Sequence, residues 1–398
     1  MPVSSSLVSF NTAFTDLFGR AKVSNLESLF NAQFLFDKAP LRWDEILATG
    51  GTSTFNANES CIDMAVTTSS GSRVYRQTKE HFLYEPGRVQ RGLFTVLFAP
   101  ATANCNQRVG LFGENDGLFF RLDGLTFGVG IRSSTSGAPV ETLVDQSAFN
   151  LDKLDGTGPS GATIDLTKNQ LLFVEYQWLG VGSIRWGVFI DGAPIYCHQI
   201  NNSNVGTVVY MKRGNVPVAY EIVNTGIIAG ARTLKQICCA VSSDGGEEST
   251  GIKRAADTGN VARIVAGTAS LPLISIRLKS TAIRSIIIPK AISVMASAAD
   301  NYRVQLILNG SLTGATFNSV ATESIAEFDI AATALTGGTI ISSTYVSQVS
   351  RSIVSIDPDS LLKCVADIAG TADILTVYVT NITAGINYFG SIEWREYV

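Results

Sequence analysis

Residues 171–200 read LLFVEYQWLGVGSIRWGVFIDGAPIYCHQI. Three runs rich in aromatic and β-branched residues, Leu171 to Trp178, Ile184 to Ile190 and Pro194 to Ile200, are separated by Gly180-Val181-Gly182 and Asp191-Gly192. Short apolar runs joined by residues that accept positive φ specify hairpins, so this passage predicts a three-stranded antiparallel meander. The same grammar extends outward. Arg108 to Phe112 passes through Asn115-Asp116-Gly117 into Leu118 to Leu122, and Asp123-Gly124 leads into Leu125 to Ile131. Val208 to Met211 and Val218 to Val223 read as two further short strands. Parallel βαβ units would need helical periods between the strands, and none appears.

The fold expected is therefore all-β: a jelly-roll or concanavalin-like β-sandwich over 37–248, reached through an N-terminal arm, 1–36. The polar cluster Asp244-Gly245-Gly246-Glu247-Glu248 introduces a linker, 249–270. Residues 271–398 form a second, smaller β unit with strand-like runs at Ile274 to Leu278, Arg284 to Ile288, Tyr302 to Leu308, Leu375 to Val379 and Ile392 to Trp394. The closing strand could still complete the first sandwich.

Composition points to an assembly subunit. The chain has 398 residues, more than a single core usually organises, with 45% hydrophobic and only 16% charged residues. A surface so poor in charge suits a protein partly covered by neighbours. With 30 Lys+Arg against 34 Asp+Glu, net −4, no basic surplus exists for phosphate neutralisation, so no direct nucleic-acid partner is expected. Met1 to Ser6 shows no secretory leader, and the apolar stretch Ala291 to Ala299 is too short to cross a bilayer. A protein made in a cytoplasm, without a membrane partner, is expected. The six cysteines are scattered and read as buried free thiols; with only His81 and His198 beside them, no metal or cofactor is expected.

The arm carries Leu7, Phe10, Phe14, Leu17 and Phe18 at helical spacing, then Leu26, Leu29, Phe30, Phe34 and Phe36. Phe10, Phe14, Leu17, Phe18 and Phe30 are the candidate assembly anchors on a neighbouring subunit; packing on the chain's own domain is the other reading.

Catalytic motifs do not assemble. Gly156-Thr157-Gly158-Pro159-Ser160-Gly161 spells a dinucleotide fingerprint but leads toward a strand rather than a helix, so a tight loop is expected. Glu114-Asn115-Asp116 lacks a third acid, since Phe119 stands in its place, and reads as turn chemistry; Glu175, on a predicted strand, could face a cleft but reads more readily as a solvent-facing acid. No nucleophile elbow occurs, and His198 reads as a structural histidine. No catalytic residues and no enzymatic activity are expected. Sugar binding by aromatic stacking remains open, with Trp43, Trp178 and Trp186 as the candidate glycan platform and core packing as the alternative for each.

Asp16-Leu17-Phe18-Gly19-Arg20, Val23-Ser24-Asn25 and Leu29-Phe30 resemble the opening of a family of virion structural proteins of tailed bacteriophages, with relatives in some large DNA viruses. The run from Leu151 to Gly161 is similar to that family's most distinctive segment, as are Glu175 to Gly182, Gly187, Cys197-His198, Asn215 to Val218 and Tyr220 to Ile222. The resemblance covers most of residues 14–250. It implies a multi-copy capsid- or tail-associated subunit of the virion, a decoration, adaptor or baseplate protein. Its partners would be other virion proteins and copies of itself, with no catalytic residue to carry over. Because the chain opens at Met1 without collagen or heptad repeats, a compact subunit is expected rather than a fibre. A receptor- or glycan-binding module at a phage tail, meeting host surface glycan, is the alternative.

Overall fold

The computed structural model describes residue 17 and residues 26–245, 251–260, 262–264, 269–298, 301–347, 362–382 and 386–397. The chain divides into two compact units, Met1–Glu248 and Ser249–Val398.

Among its described residues the first unit has fifteen strands: β1 (Leu26–Gln33), β2 (Trp43–Ala48), β3 (Thr52–Asn56), β4 (Cys61–Val66), β5 (Arg73–Thr78), β6 (Gln90–Leu97), β7 (Cys105–Phe112), β8 (Gly117–Asp123), β9 (Thr126–Ser133), β10 (Val140–Asp145), β11 (Gln170–Tyr176), β12 (Ser183–Ile190), β13 (Ala193–Asn201), β14 (Val218–Asn224) and β15 (Arg232–Asp244). One sheet runs β13-β12-β11-β6-β15-β4-β3, with β1 also paired to β15; the other runs β10-β9-β8-β7-β14-β5-β2. All of these pairings are antiparallel. The strand period of two puts one face of each sheet into a shared core. Phe94, Val96, Leu172, Val174, Trp186 and Val188 come from one sheet; Val109, Leu111, Phe120, Val129, Tyr220 and Ile222 from the other. This is a concanavalin-like β-sandwich, as the hairpin grammar requires.

The meander forms as expected in β11, β12 and β13. Asp191 and Gly192 both take positive φ, 51° and 77°, which matches the turn twist to that of its strands. Val208–Met211, by contrast, is not a strand but part of an irregular connection between β13 and β14. Its apolar residues lie in loops tied down by single bonds, such as Tyr210 N–H to Gly180 O at 2.9 Å.

The N-terminal expectation divides. Phe10, Phe14 and Phe18 lie outside the described residues. Leu17 is half-buried, and its carbonyl accepts a hydrogen bond from Gln177 Nε2 at 3.1 Å. Phe30 does not reach a neighbour: β1 pairs with β15, and Phe30 is buried in its own core against Phe82 and Trp43, ring centroids 5.2 and 6.2 Å away. Alternation along β1 points Phe30 inward, and Phe34 beyond the strand is buried as well. Phe36 is exposed.

In the second unit, Ile252–Asp257, Arg263–Ile264 and Ile286–Ala296 all pair with the closing strand Asn387–Tyr397. A six-stranded sheet is built around Ser270–Leu278, Leu375–Asn381 and Tyr302–Leu308. Leu273, Ile276, Leu306, Val377, Tyr388 and Trp394 share its core. The stretch expected as a linker, 249–270, thus carries two strands. Their partner lies more than a hundred residues downstream, a pairing no local pattern reveals. The closing strand pairs within this unit and joins neither sheet of the sandwich.

The glycine-rich fingerprint is a loop held by a buried acid. Asp152 Oδ1 accepts Leu154 N–H at 2.8 Å, and Oδ2 accepts Ser160 N–H at 2.8 Å. A Cβ on Gly158 would stand 2.2 Å from Asp152 Oδ1. Gly158→Ala is therefore expected to lower stability by about 1–3 kcal/mol, read from the urea midpoint. An unchanged midpoint would show that the loop yields freely.

Candidate functional site

Two strand patterns prepare the outer face of the seven-stranded sheet. In β8, Leu118, Phe120 and Leu122 face the core, which puts Phe119 and Arg121 on the opposite face; in β9, Phe127, Val129 and Ile131 do the same for Arg132. Arg73 of β5, Arg108 of β7, Glu221 of β14 and Glu141 of β10 meet there.

The groups form one linked network. Arg73 Nη2 lies 2.7 Å from Glu221 Oε1. Arg108 Nη1 is 2.6 Å from Glu141 Oε1 and 3.9 Å from Glu221 Oε2, and Arg132 Nη2 is 2.8 and 3.9 Å from the same two oxygens. Arg121 pairs with Asp123 at 3.2 Å and with Asp145. The guanidiniums rest on rings: Arg108 over Phe119 at 5.0 Å, Arg132 over Phe112 at 5.3 Å, Arg73 over Tyr75 at 5.0 Å. Flat, weakly hydrated guanidinium suits that stacking, and its remaining donors stay free to meet carboxylates.

Burial sharpens these interactions. Arg121, Arg132 and Glu221 are all buried, and Glu221 Oε2 accepts no hydrogen bond. Burial pulls the Arg73 guanidinium down, but the carboxylates of Glu221 and Glu114 together outweigh it and leave the group above its ordinary value. For Asp123 burial prevails over Arg108 and Arg121, and the carboxyl sits above its ordinary value. Beside the network an open depression of about 430 Å³ is lined by Arg73, Glu114, Arg132, Pro139 and Glu141. It presents donors and acceptors side by side, the arrangement polyhydroxyl ligands need.

The sequence candidates fall elsewhere. Trp186 is 0% and Trp43 3% exposed, both within the sandwich core, so the three tryptophans do not make a platform. Trp178 is half-buried, with Nε1 donating to Met211 O at 3.0 Å and its ring edge-on to Tyr84. Glu175 does not face solvent: it is buried among Arg185 at 3.0 Å, the Tyr196 hydroxyl at 3.0 Å and Arg91 at 3.6 Å. Asp116 caps backbone, accepting from Ser134 and Lys212 N–H at 3.0 Å each, while Glu114 belongs to the depression. His198 Nδ1 accepts Asn150 N–H at 3.3 Å, and burial lowers its pKa below the ordinary 6.5. The six cysteines are free. Among the described residues no group of three or more His, Cys, Asp or Glu could hold a metal ion, and no helix is long and apolar enough to cross a membrane.

No family model matches the chain, and no curated protein matches it. Solved structures do. The carbohydrate recognition domain of Emp47p is 14% identical, covering 57% of this chain and 100% of its own, with a TM-score of 0.33. A legume lectin-like domain from Entamoeba histolytica is 9% identical, covering 53% and 95%, TM-score 0.32. A putative β-glucanase from Mycobacterium abscessus is 12% identical, covering 54% and 100%, TM-score 0.36. At this level the likenesses say nothing of what this chain binds. They nonetheless correct the expectation that the chain is not an enzyme. A glucanase stands among the similar structures, and the missing motifs on which that expectation rested are local patterns.

Removing one partner of a buried ion pair strands the others. Glu221→Ala should cost about 3–5 kcal/mol by chemical denaturation, against at most about 1 kcal/mol for Glu59→Ala, which loses an exposed pair with Lys235. Equal losses would refute the network's role. His198 makes a second prediction. The unfolded imidazole takes up its proton first as pH falls below 6.5, so the stability gained from holding it neutral is present above that pH and is lost as pH falls through the lower folded value. His198→Gln should flatten the decline of the melting temperature as pH falls below 6.5; an unaltered slope would refute this.

Proposed function

We propose that this chain is a glycan-binding protein of a bacteriophage particle, holding host surface sugar on the outer face of the seven-stranded sheet. The observation that carries the reading is the depression between Arg73, Glu114, Arg132 and Glu141, where charged donors and acceptors alternate. Vicinal hydroxyls can donate to a carboxylate and accept from a guanidinium at once, and charge-assisted bonds of this kind are the stronger sort. The resemblance over residues 14–250 supports the virion setting, where a multi-copy subunit would gain avidity from weak single sites.

The test is saturable binding to bacterial surface polysaccharides by titration. Glu114→Gln should weaken binding about tenfold, roughly one charged hydrogen bond, without moving the melting temperature, whereas Glu141→Gln should weaken binding and also lower the melting temperature, because Glu141 holds Arg108 and Arg132. Silence of the wild-type chain across the panel, or variants that bind as well, would overturn the site. Absence of the chain from purified particles by quantitative proteomics would overturn the virion setting.

Cleavage at the same face is a second reading. Glu141 and Glu221 both approach Arg108 Nη1, and Asp123, held above its ordinary pKa by burial, lies 3.8 Å from Arg108 Nη2. A carboxyl that burial holds protonated to higher pH suits the general-acid role. Release of reducing sugar, lost in Asp123→Asn, would support it; bound glycan recovered intact would count against it.

A further inference from the structure

The irregular connection between β13 and β14 creates a second surface at one end of the sandwich. It is bonded to the β11–β12 turn: Tyr210 N–H donates to Gly180 O at 2.9 Å, and Asn202 Nδ2 donates to Gly182 O at 2.7 Å. Gly180 approaches Val209 so closely that a Cβ there would stand 2.7 Å from Val209 Cγ1. On these two loops Leu179, Val181, Val205, Val208 and Val209 are exposed, between 37% and 78%. Five aliphatic side chains on two joined loops form a cluster that the core does not claim.

Its rim is basic. Lys212 and Arg213 are exposed, and neither joins an ion pair among the described residues. Between residues 176 and 220 the only acid is Asp191, in the turn at the far end of the β12–β13 hairpin, and Asp116, which meets the Lys212 N–H from the β7–β8 turn, is buried. The chain carries net −4, so this end departs from its overall charge.

We propose that the loop end formed by residues 178–182 and 202–213 docks on an anionic lipid surface. Aliphatic tips enter the headgroup boundary while flanking cations meet lipid phosphates. The exposed apolar area is on the order of a few hundred Å², against roughly 800 Å² per partner in a stable protein interface. That shortfall disfavours a second copy as the occupant. A bilayer surface needs no complementary partner area, so a small apolar tip with flanking cations can dock on it, and on the virion reading proposed above further copies would add avidity. The chain has no helix able to span a membrane among its described residues, and surface docking needs none.

The test is flotation of the full chain with vesicles of phosphatidylcholine containing about one third phosphatidylglycerol, against pure phosphatidylcholine. The wild type should float with the anionic vesicles alone and leave them at high salt. The double variant Val205→Ser with Val208→Ser and the double variant Lys212→Ser with Arg213→Ser should each lower the bound fraction at least fivefold, with melting temperatures unchanged. Failure of the wild type to float, or variants that float equally, would overturn the proposal. So would sedimentation showing self-association that the valine variant abolishes while vesicles stay unbound: the occupant would then be a second copy.

Discussion

Arg108 and Arg132 reach the same two carboxylates, Glu141 and Glu221, from neighbouring parts of one sheet face. The outer face of the sandwich depends on that sharing. Each guanidinium lies on an aromatic ring, so water reaches it from one side only, and the carboxylates supply the bonds water would have made. A charged layer thus sits on a ring layer, which sits on the sheet. Without the acids Arg132 would keep only the Gly113 carbonyl, 2.8 Å from its Nη1; without the arginines the buried Glu221 would lose its ion pairs. The constraint runs across β5, β7, β9, β10 and β14, so it also fixes which strands lie side by side.

How much of this was legible in the sequence follows from how local each feature is. The meander Leu171 to Ile200 was readable because its turns are short and every paired residue lies within eighteen positions of its partner. Asp191-Gly192 demands a tight turn, and the alternation on either side says which face is buried. The pairing of Ile252–Asp257 with Asn387–Tyr397 was not, because the polar run before it looks like a linker and its partner is remote. Val208–Met211 misled for the converse reason: apolar residues in series suggest a strand, yet here no neighbouring strand offers a ladder.

The candidate site shows the same limit. Arg73, Arg108, Arg132, Glu141 and Glu221 are spread over 149 positions with nothing between them that resembles a motif. A signal did exist. Strand β9 alternates Phe127, Val129, Ile131 with Gly128, Gly130, Arg132, and β8 sets Phe119 and Arg121 opposite Leu118, Phe120 and Leu122. Such strands keep an apolar inner row while their outer row carries small residues, rings and arginines, which an ordinary solvated face has no need of. The tryptophans drew notice instead because they are rare, but large rings are what a sandwich core consumes, and Trp43 and Trp186 went there.

Asp116 joins the two surfaces of the sandwich. Its place in Glu114-Asn115-Asp116 suggests paired acids, yet the side chain is fully engaged by Ser134 and by the backbone of Lys212, while its carbonyl accepts Gly113 N–H at 2.8 Å. One buried carboxylate therefore pins three segments: the β7–β8 turn that carries Glu114, the start of the β9–β10 loop that carries Pro139, and the connection that carries Lys212. Glu114 and Pro139 line the depression, and Lys212 belongs to the basic rim. A charge held by two backbone N–H groups and a hydroxyl is costly to displace, so the three segments hold their positions together. A ligand in the depression and a surface met by the loop end would thus act on segments that share one anchor, which ties the two sites through a contiguous set of bonds.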